Sequence, residues 1–184
     1  MMKTETQLYQ FKISLIGITP KIWRRIQILD NNTFYDLHRA IQNAMGWDDY
    51  HLHQFEVVNP NTGEIDLVGD GNDNLNEYEI KISKYFTEVS KSAFYEYDFG
   101  DSWEHDIVLE KKLPVTDGKY PICLAGKRAC PPEDCGGIWG YKDLVKIMKN
   151  KRHRKYREQV EWLGEHFYAE NFDPKDVVFD KYDK

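Results

Sequence analysis

Two stretches near the start of the chain alternate apolar and polar residues, which is the period of a β-strand. One runs from Leu8 to Gly17 and the other from Ile22 to Ile28, with Thr19-Pro20 between them as a turn. Alternation places apolar side chains on one face of a sheet, so the pattern predicts an opening hairpin. Arg24 falls on the apolar face of the second strand, where we expect its guanidinium to reach solvent or a carboxylate.

The pattern then changes to a helical period. Thr33 is a suitable N-cap and Gly46 a suitable C-terminal residue, and apolar residues between them recur with i, i+3, i+4 spacing. A third strand is predicted from His51 to Val58, with a short return strand from Glu64 to Val68. Residues 82–86 favour a helical turn.

The segment YDFGDSWEH, residues 97–105, predicts a second hairpin. A three-residue loop, Gly100-Asp101-Ser102, would pair Phe99 with Trp103 and Tyr97 with His105, and would keep the apolar residues of both strands on one face. The opposite face would then carry four acids: Glu96, Asp98, Glu104 and Asp106. Like charges directly across a strand pair destabilise it, so this face needs solvent or nearby cations.

The second half of the chain changes from loop to helix. Residues 112–137 are rich in proline and glycine and are predicted to form a loop, and amphipathic helices follow around residues 141–148 and 156–167. The order of these elements indicates an α+β fold with a mainly antiparallel sheet. Two strands come first, followed by a helix, further strands and a late helical pair. We expect residues 1–184 to form a single domain.

Composition narrows the classes of protein. No apolar run reaches membrane-spanning length, and three cysteines without a secretory leader favour a reducing compartment over disulfides. The net charge of −6 disfavours a general nucleic-acid binder, although residues 142–157 are basic. We therefore expect a soluble cytoplasmic protein without membrane partners and with weak, non-specific nucleic-acid binding at most. The candidate binding residues are Lys151, Arg152, Arg154 and Lys155.

Four of the six histidines fall on faces that the pattern predicts to be apolar: His38, His51, His53 and His105. His51 and His53 are two residues apart on a predicted strand, so their rings would point the same way, as metal ligands do when other ligands come from elsewhere. Alternatively, each imidazole has its own hydrogen-bond partner and no metal is bound.

A divalent ion such as zinc is the cofactor that these residues could hold, and the sequence assigns none. The metal-ligand candidates are His51, His53, His105, Cys130 and Cys135, and the catalytic candidates are Asp98, Asp101, Glu133 and Asp134. The loop CPPEDCGG, residues 130–137, can hold a carboxylate in fixed geometry or can serve as a rigid connector. The chain has no phosphate-binding loop, dinucleotide-binding glycine motif, nucleophile elbow or HExxH motif.

Five segments of the chain, taken in order, resemble the Ri-plasmid ORF-three-like family. They are IWRRI (residues 22–26), Leu37-His38, GWDDYHLHQF (residues 46–55), YDFGDSWEH and CPPEDCGG. The resemblance covers nearly the whole chain and implies a single-domain α+β protein found on plasmids, as a passenger of insertion sequences and in chromosomes. It implies no mechanism. In the family pattern PPED and GG are more typical than the two cysteines, which shifts weight from a thiolate site to carboxylates and histidines.

Two functions are consistent with these features. The first is an uncharacterised cytosolic binding or accessory protein, associated with mobile DNA, whose acidic hairpin face and basic segment serve partners such as another protein. The second is a metal-dependent hydrolase or nuclease that uses the histidines and acids named above. The sequence leaves open whether the protein is an enzyme, and convergence of the histidines on an open pocket would favour the second function.

Overall fold

The computed structural model describes residues 5–179, which form seven strands, three α-helices and two short 3-10 turns. The strands are β1 (Gln7–Leu15), β2 (Trp23–Leu29), β3 (His53–Val58), β4 (Ile65–Gly69), β5 (Ser92–Tyr97), β6 (Trp103–Pro114) and β7 (Ile122–Lys127). The α-helices are α1 (Phe34–Met45), α2 (Gly137–Met148) and α3 (Tyr156–Leu163), and the 3-10 turns are Ile82–Lys84 and Pro174–Asp176.

The described strands form one antiparallel sheet with the order β4-β3-β5-β6-β1-β2-β7. Strand β6 has 12 residues and pairs with β5 on one side and with β1 on the other. Neighbouring strands such as β1 and β2 pair as hairpins because no helix intervenes between them. The predicted α+β fold with an antiparallel sheet, an early helix and a late helical pair is confirmed.

Helix α1 begins and ends where the sequence predicts. The Thr33 hydroxyl accepts a hydrogen bond from the Asp36 backbone N–H, and the Asp36 carboxylate accepts one from the Thr33 backbone N–H. Gly46 closes the helix with a φ of 88°, a left-handed conformation that favours glycine. On the sheet side, the Phe34 ring lies edge-on to Phe55 of β3 with 5.1 Å between centroids. The face predicted to be apolar therefore covers the core.

The β5–β6 hairpin has a longer loop than predicted. Tyr97 pairs with Trp103 and not with His105, so the predicted register is wrong by two residues. Because side chains alternate with a period of two, this shift preserves the apolar face. Phe99, however, leaves that face and is 45% exposed. The cause is Asp98, whose left-handed backbone ends β5 and opens a loop of residues 98–102.

The same shift changes the acidic face of the hairpin. Glu96 lies opposite Glu104, whereas Asp106 lies opposite Phe94. Asp98 belongs to the loop and is buried. One like-charged pair therefore replaces the two that the sequence predicted.

Several boundaries also differ from the prediction. Strand β3 begins at His53, so His51 precedes it, and residues 122–127 of the predicted loop form the edge strand β7. Arg24 is buried and donates hydrogen bonds to backbone carbonyl groups instead of reaching solvent or a carboxylate of the described residues. Phe167 lies beyond the end of α3. The last residues of the chain, 180–184, lie outside the described part.

Replacing Trp103 with alanine should lower the free energy of unfolding by about 3 to 5 kcal/mol, because its indole is fully buried at the start of β6. Phe99→Ala is the matched control, since its ring is partly in solvent, and it should change stability by about 0.5 kcal/mol or less. Urea unfolding of both variants measures the difference. Equal losses in the two variants would contradict the observed register.

Candidate functional site

The histidines predicted to lie on apolar faces occupy three different settings. His38 of α1 and His53 of β3 are stacked in the core. His105 of β6 is buried beside Tyr95. His51 lies half-buried on the segment before β3. These settings differ in what the ring nitrogens contact.

His38 and His53 form a face-to-face stack with ring centroids 3.5 Å apart and planes that differ by 9°. His38 Nδ1 lies 2.9 Å from the Tyr95 hydroxyl, and its Nε2 lies 2.8 Å from an Asp49 carboxylate oxygen. Gln42 donates a hydrogen bond to the same hydroxyl. The hydroxyl can therefore donate to Nδ1, which assigns the imidazole proton to Nε2 and makes Asp49 its acceptor.

The same contacts decide the charge of this pair. Burial lowers the pKa of His38, and the hydrogen bond to Asp49 opposes this only in part. Burial acts to raise the pKa of Asp49, but hydrogen bonds from His38 and Arg39 outweigh it and hold that pKa below its ordinary value. A neutral imidazole therefore faces an ionised carboxylate at neutral pH.

His53 lies between two acids. Its Nε2 is 2.6 Å from a Glu77 carboxylate oxygen, and its Nδ1 is 3.0 Å from an Asp70 oxygen. Glu77 is itself buried. Every ring nitrogen of the stacked pair therefore has a protein partner.

The orientation of the stacked rings disfavours a shared metal ion. Ligand atoms of His38, Asp49 and His53 do lie within 4.8 Å of one another. However, the lone pair of an imidazole nitrogen lies in the ring plane, so a bound ion must lie in or near that plane. Two nearly parallel planes about 3.5 Å apart have no common point at which both rings could bind one ion. We therefore interpret this cluster as a polar part of the core.

His105 is enclosed by aromatic rings. The Trp47 ring is edge-on at 5.5 Å and the Tyr95 ring lies at 5.3 Å between centroids. Nδ1 lies 3.3 Å from the Tyr95 carbonyl oxygen, whereas Nε2 is buried without a hydrogen-bond partner in residues 5–179. Burial lowers the pKa of His105 from 6.5 to about 4, so the ring is neutral at neutral pH.

The third setting is a group of three side chains, His51, Asp98 and Asp134, which we name the His51 cluster. Their ligand atoms lie within 4.8 Å of one another. His51 Nε2 is 3.1 Å from an Asp134 oxygen, and Nδ1 is 3.7 Å from an Asp98 oxygen. The shorter contact lacks the angle of a hydrogen bond, so Nε2 is a buried atom without a hydrogen-bond partner among the described residues. The Asp134 side chain is 67% exposed, and the cluster therefore opens to solvent there.

Two loops bring the cluster together. In the β5–β6 loop, an Asp98 oxygen accepts hydrogen bonds from the backbone N–H groups of Gly100 and Asp101. The Asp101 carboxylate accepts one from the backbone N–H of Gly136, in the CPPEDCGG loop. A Cβ atom at Gly137 would lie 2.7 Å from the Asp101 carbonyl oxygen, so this close approach requires glycine. The CPPEDCGG loop is thereby fixed against the hairpin.

Glu133 lies at the border of the His51 cluster. Its Oε1 accepts hydrogen bonds from the Tyr97 hydroxyl and from the Asp48 backbone N–H, both at 3.0 Å. Its Oε2 is buried and accepts none from the described residues. Burial raises the pKa of Glu133, although these hydrogen bonds and the nearby His51 oppose the shift. A carboxyl group with a raised pKa is suited to proton transfer near neutral pH.

The aspartates of the two clusters share an uncommon backbone conformation. Asp49, Asp98 and Asp134 have φ values of 60°, 57° and 54°. The left-handed region costs a residue other than glycine about 1 kcal/mol or more. Residues in this region persist where the surrounding structure imposes the conformation, and they are frequent at functional sites. The loops therefore hold these three carboxylates against their local preference.

The structure brings together His51, Asp98, Glu133 and Asp134 from the sequence candidates, and Asp101 fixes the loop that carries two of them. It does not bring His53 and His105 to this cluster. The expectation that His51 and His53 point the same way along one strand is wrong, because β3 begins only at His53.

The cysteine candidates are neutral thiols. In the described part of the chain, no group of three ligand atoms within 4.8 Å includes a cysteine. Burial raises the pKa of Cys130, and it raises the pKa of Cys135 to about 12. Because metals bind the thiolate, these environments disfavour a cysteine-ligated zinc ion.

The four basic candidates lie in the connection between α2 and α3, and all of them are exposed. They are Lys151, Arg152, Arg154 and Lys155. Sequence reasoning missed the acids and the tyrosine that bind the stacked histidines: Asp49, Asp70, Glu77 and Tyr95. The acid-rich loops at residues 46–50 and 70–77 were a signal for them. Which acid reaches which ring depends on how β3, β4 and β5 pair.

Comparisons with known proteins identify relatives but no activity. The family model described as plasmid pRiA4b ORF-3-like protein matches residues 7–177. The uncharacterised protein y4hQ of Sinorhizobium fredii (strain NBRC 101917 / NGR234) is 34% identical over 167 residues, which cover 89% of this chain and 86% of that protein. The crystal structure of MM3350, a protein of unknown function from Methanosarcina mazei Go1, is similar with a TM-score of 0.90 and 53% identity, covering 96% of this chain and 100% of that one. None of the helices in residues 5–179 has the length and hydrophobicity needed to cross a bilayer.

The buried histidines predict a loss of stability in acid. Burial lowers the pKa of His38 and His105 below 6.5, so the unfolded chain binds more protons below that pH and the free energy of unfolding falls as pH decreases. His105 alone should contribute a loss of about 3 kcal/mol, complete below its folded pKa of about 4. Urea unfolding at about pH 7 and about pH 4.5 measures most of this loss.

His105→Phe is the test of this assignment, because it removes the titrating group and keeps an aromatic ring between Trp47 and Tyr95. The variant should be about 2 to 3 kcal/mol less sensitive to the same pH change than the wild type. An unchanged pH dependence would show that His105 titrates normally.

Proposed function

The chain belongs to the plasmid pRiA4b ORF-3-like protein family, and we propose that this member is a cytosolic accessory protein that binds a divalent metal ion at the His51 cluster. The relatives are uncharacterised or of unknown function, so the proposal is argued from the side chains. The free thiols of Cys123, Cys130 and Cys135 fit a reducing compartment.

One unpartnered polar atom carries the proposal. His51 Nε2 is buried without a hydrogen-bond partner among the described residues, and ligand atoms of Asp98 and Asp134 lie within 4.8 Å of the His51 ligand atom. Leaving such an atom unsatisfied costs about 1 to 3 kcal/mol. A cation bound there would interact favourably with the nitrogen lone pair and with the carboxylates.

The spacing of the cluster fits metal ligation. Metal–nitrogen and metal–oxygen bonds of about 2.0 to 2.2 Å, at angles between a right angle and tetrahedral, place the two ligand atoms roughly 3 Å apart. The distance from His51 Nε2 to Asp134 is 3.1 Å. Asp98 lies on the Nδ1 side of the ring, where a carboxylate orients a metal-bound imidazole or adds a further ligand.

The ligand types narrow the choice of ion. An imidazole ligand together with carboxylate oxygen suits manganese, iron or zinc better than calcium or magnesium, which prefer oxygen ligands alone. The exposed Asp134 side chain leaves room for water or a partner's ligand at the ion. A site of this kind can bind a second molecule through the metal.

A metal-dependent hydrolase is the second candidate, and Glu133 is the observation that favours it. Its raised pKa and its place beside His51 suit a group that accepts a proton from an attacking water. The water oxygen would add to a phosphodiester or an ester as Glu133 takes the water proton, and Glu133 would return that proton to the leaving group as its bond breaks. A bound metal would lower the pKa of the water.

Exposed apolar side chains near the cluster support a protein partner. Tyr50 and Leu52 flank His51 and are 74% and 58% exposed. The backbone N–H of Asp98 donates to the Leu52 carbonyl oxygen, which places the exposed Phe99 close to them. Apolar groups around a polar site are typical of protein interfaces. A role beside mobile DNA rests on the plasmid origin in the family's name.

Purified protein should bind about one manganese or zinc ion per chain, and His51→Ala or Asp134→Asn should weaken binding about tenfold or more, because the first removes a ligand and the second removes the charge of one. Isothermal titration with each metal, together with elemental analysis, measures this. His153→Ala is the matched control, since the His153 ring accepts a hydrogen bond from the Lys155 backbone N–H before α3 and belongs to none of the ligand groups in residues 5–179, so the variant should retain binding.

The same metal-loaded protein separates the two candidates. Turnover of a chromogenic phosphodiester that is lost in Glu133→Gln, while the metal is retained, would establish the hydrolase. Metal binding without turnover supports the accessory protein. Equal metal affinity in the wild type and in His51→Ala would show that the His51 cluster is not the metal site, which would contradict both candidate functions.

Nucleic-acid binding should be weak and sensitive to salt, because the net charge is −6 and the basic segment is small. Fluorescence anisotropy with a labelled duplex should show an affinity that falls more than about tenfold between roughly 50 and 200 mM salt, without sequence preference. Tight binding at physiological salt that is abolished by charge reversal at Lys151, Arg152, Arg154 and Lys155 would contradict this expectation.

A further inference from the structure

Arg24 is a buried cation without a buried counter-charge. Its side chain points from β2 into the protein and it is 1% exposed. No carboxylate of the described residues forms an ion pair with it, and the groups that act on its charge are the Cys130, Cys123 and Tyr141 side chains. An uncompensated buried charge is unfavourable, so such a group is normally paired or hydrogen-bonded to an anion.

The hydrogen bonds of the guanidinium leave one nitrogen unused. Nε donates to the Ala44 carbonyl oxygen at 2.8 Å. Nη1 donates to the carbonyl oxygens of Trp23 and Lys127, at 2.9 and 3.3 Å. In residues 5–179, no acceptor contacts the two N–H groups of Nη2. The carbonyl contacts fix the orientation of the group, and Nη2 is the donor that remains for a ligand.

Phe172 restricts the direction from which a ligand can approach. Its ring lies 3.7 Å from the central carbon of the guanidinium and covers one face of it. The ring is seated on Gly126, where a Cβ atom would come within 2.3 Å of it. Phe172 therefore closes one face, and a ligand's hydrogen bonds to Nη2 lie near the plane of the guanidinium because its N–H groups do.

A cavity of about 360 Å³ adjoins Arg24. Most of its lining is apolar: Met45, Ala129, Pro131, Pro132, Leu163, Phe167 and Phe172. Cys130 also lines it, and burial raises the pKa of this thiol, so it contributes no negative charge. The one acid of the lining is Glu165, which is exposed.

We propose that this cavity binds a small organic carboxylate, with the carboxylate on Arg24 Nη2 and an apolar body between α1, α3 and the CPPEDCGG loop. The volume is within the range of small-molecule sites. A single available nitrogen and a nearby exposed acid suit one negative charge better than the two charges of a phosphate. The mainly apolar lining favours an apolar body. This site shares no side chain with the His51 cluster.

Binding to the wild-type protein is the first test. Phenylacetate and hexanoate should bind, and the neutral amides of the same shape, phenylacetamide and hexanamide, should bind about tenfold more weakly or worse, because they lack the charge that Arg24 requires. Ligand-detected NMR and isothermal titration with the full chain measure both. Inorganic phosphate, which has no apolar body, should not displace phenylacetate.

Three variants test whether the ligand binds in this cavity. Arg24→Gln should reduce carboxylate affinity about tenfold or more and remove the preference over the amide. Leu163→Trp fills the cavity without touching Arg24 and should abolish binding, whereas Glu161→Trp adds the same ring to an exposed position of α3 and should retain it. The tryptophan pair keeps the test valid if Arg24→Gln fails to fold.

Four results would overturn the proposal. They are no binding of either carboxylate at about 10 mM, equal binding of the amides, unchanged affinity in a folded Arg24→Gln, and equal binding by the two tryptophan variants. If phosphate bound and the carboxylates did not, the proposal that the ligand has an apolar body would likewise be wrong.

Discussion

The pairing of β1 with β6 is the interaction on which the remaining structure depends. It joins the β1–β2–β7 part of the sheet to the β3–β4–β5 part, with Gln7 opposite Pro114 at one end and Leu15 opposite His105 at the other. Through β2 it places Arg24 beneath the end of α1, and through β5 it places Asp98 beside the segment that carries His51. Without this pairing, neither the buried cation nor the His51 cluster would have its neighbours.

Polar side chains inside this fold divide into those that the protein satisfies and those that it leaves with unused hydrogen-bonding capacity. His38 is hydrogen-bonded on both ring nitrogens, by Tyr95 and Asp49, and His53 is hydrogen-bonded on Nε2 by Glu77. Because an unsatisfied buried group is unfavourable, the remaining ones are informative. Arg24 lines the cavity that Cys130, Pro131 and Pro132 of the CPPEDCGG loop border, and Glu133 of the same loop carries the unpartnered Oε2. The first group suits an anion and the second a cation.

Local signals in the sequence were sufficient for most elements, with the edge strand β7 as an exception, but not for their register. Thr33 and Gly46 determine the ends of α1 through capping, which requires only neighbouring residues. The apolar face of the hairpin was also predictable, since a shift of two residues leaves every side chain on its face. That same property hid the true pairing of Tyr97 with Trp103, because the left-handed turn at Asp98 is set by contacts with a distant loop. The sequence indicated which carboxylates could belong to a site. It could not predict the stacking of His38 on His53, which depends on the order of the strands in the sheet.

The position of the CPPEDCGG loop would make it a thermodynamic link between the two proposed binding events, that of a metal ion and that of a carboxylate. Its first residues line the cavity beside Arg24, and its acids Glu133 and Asp134 face His51. A ligand that changes the loop's equilibrium position from one side also changes the free energy of binding on the other. Linkage requires that the two effects be equal, so any factor by which a carboxylate alters metal affinity is the factor by which the metal alters carboxylate affinity. A single loop of eight residues would thus make the protein responsive to two chemically unlike molecules at once.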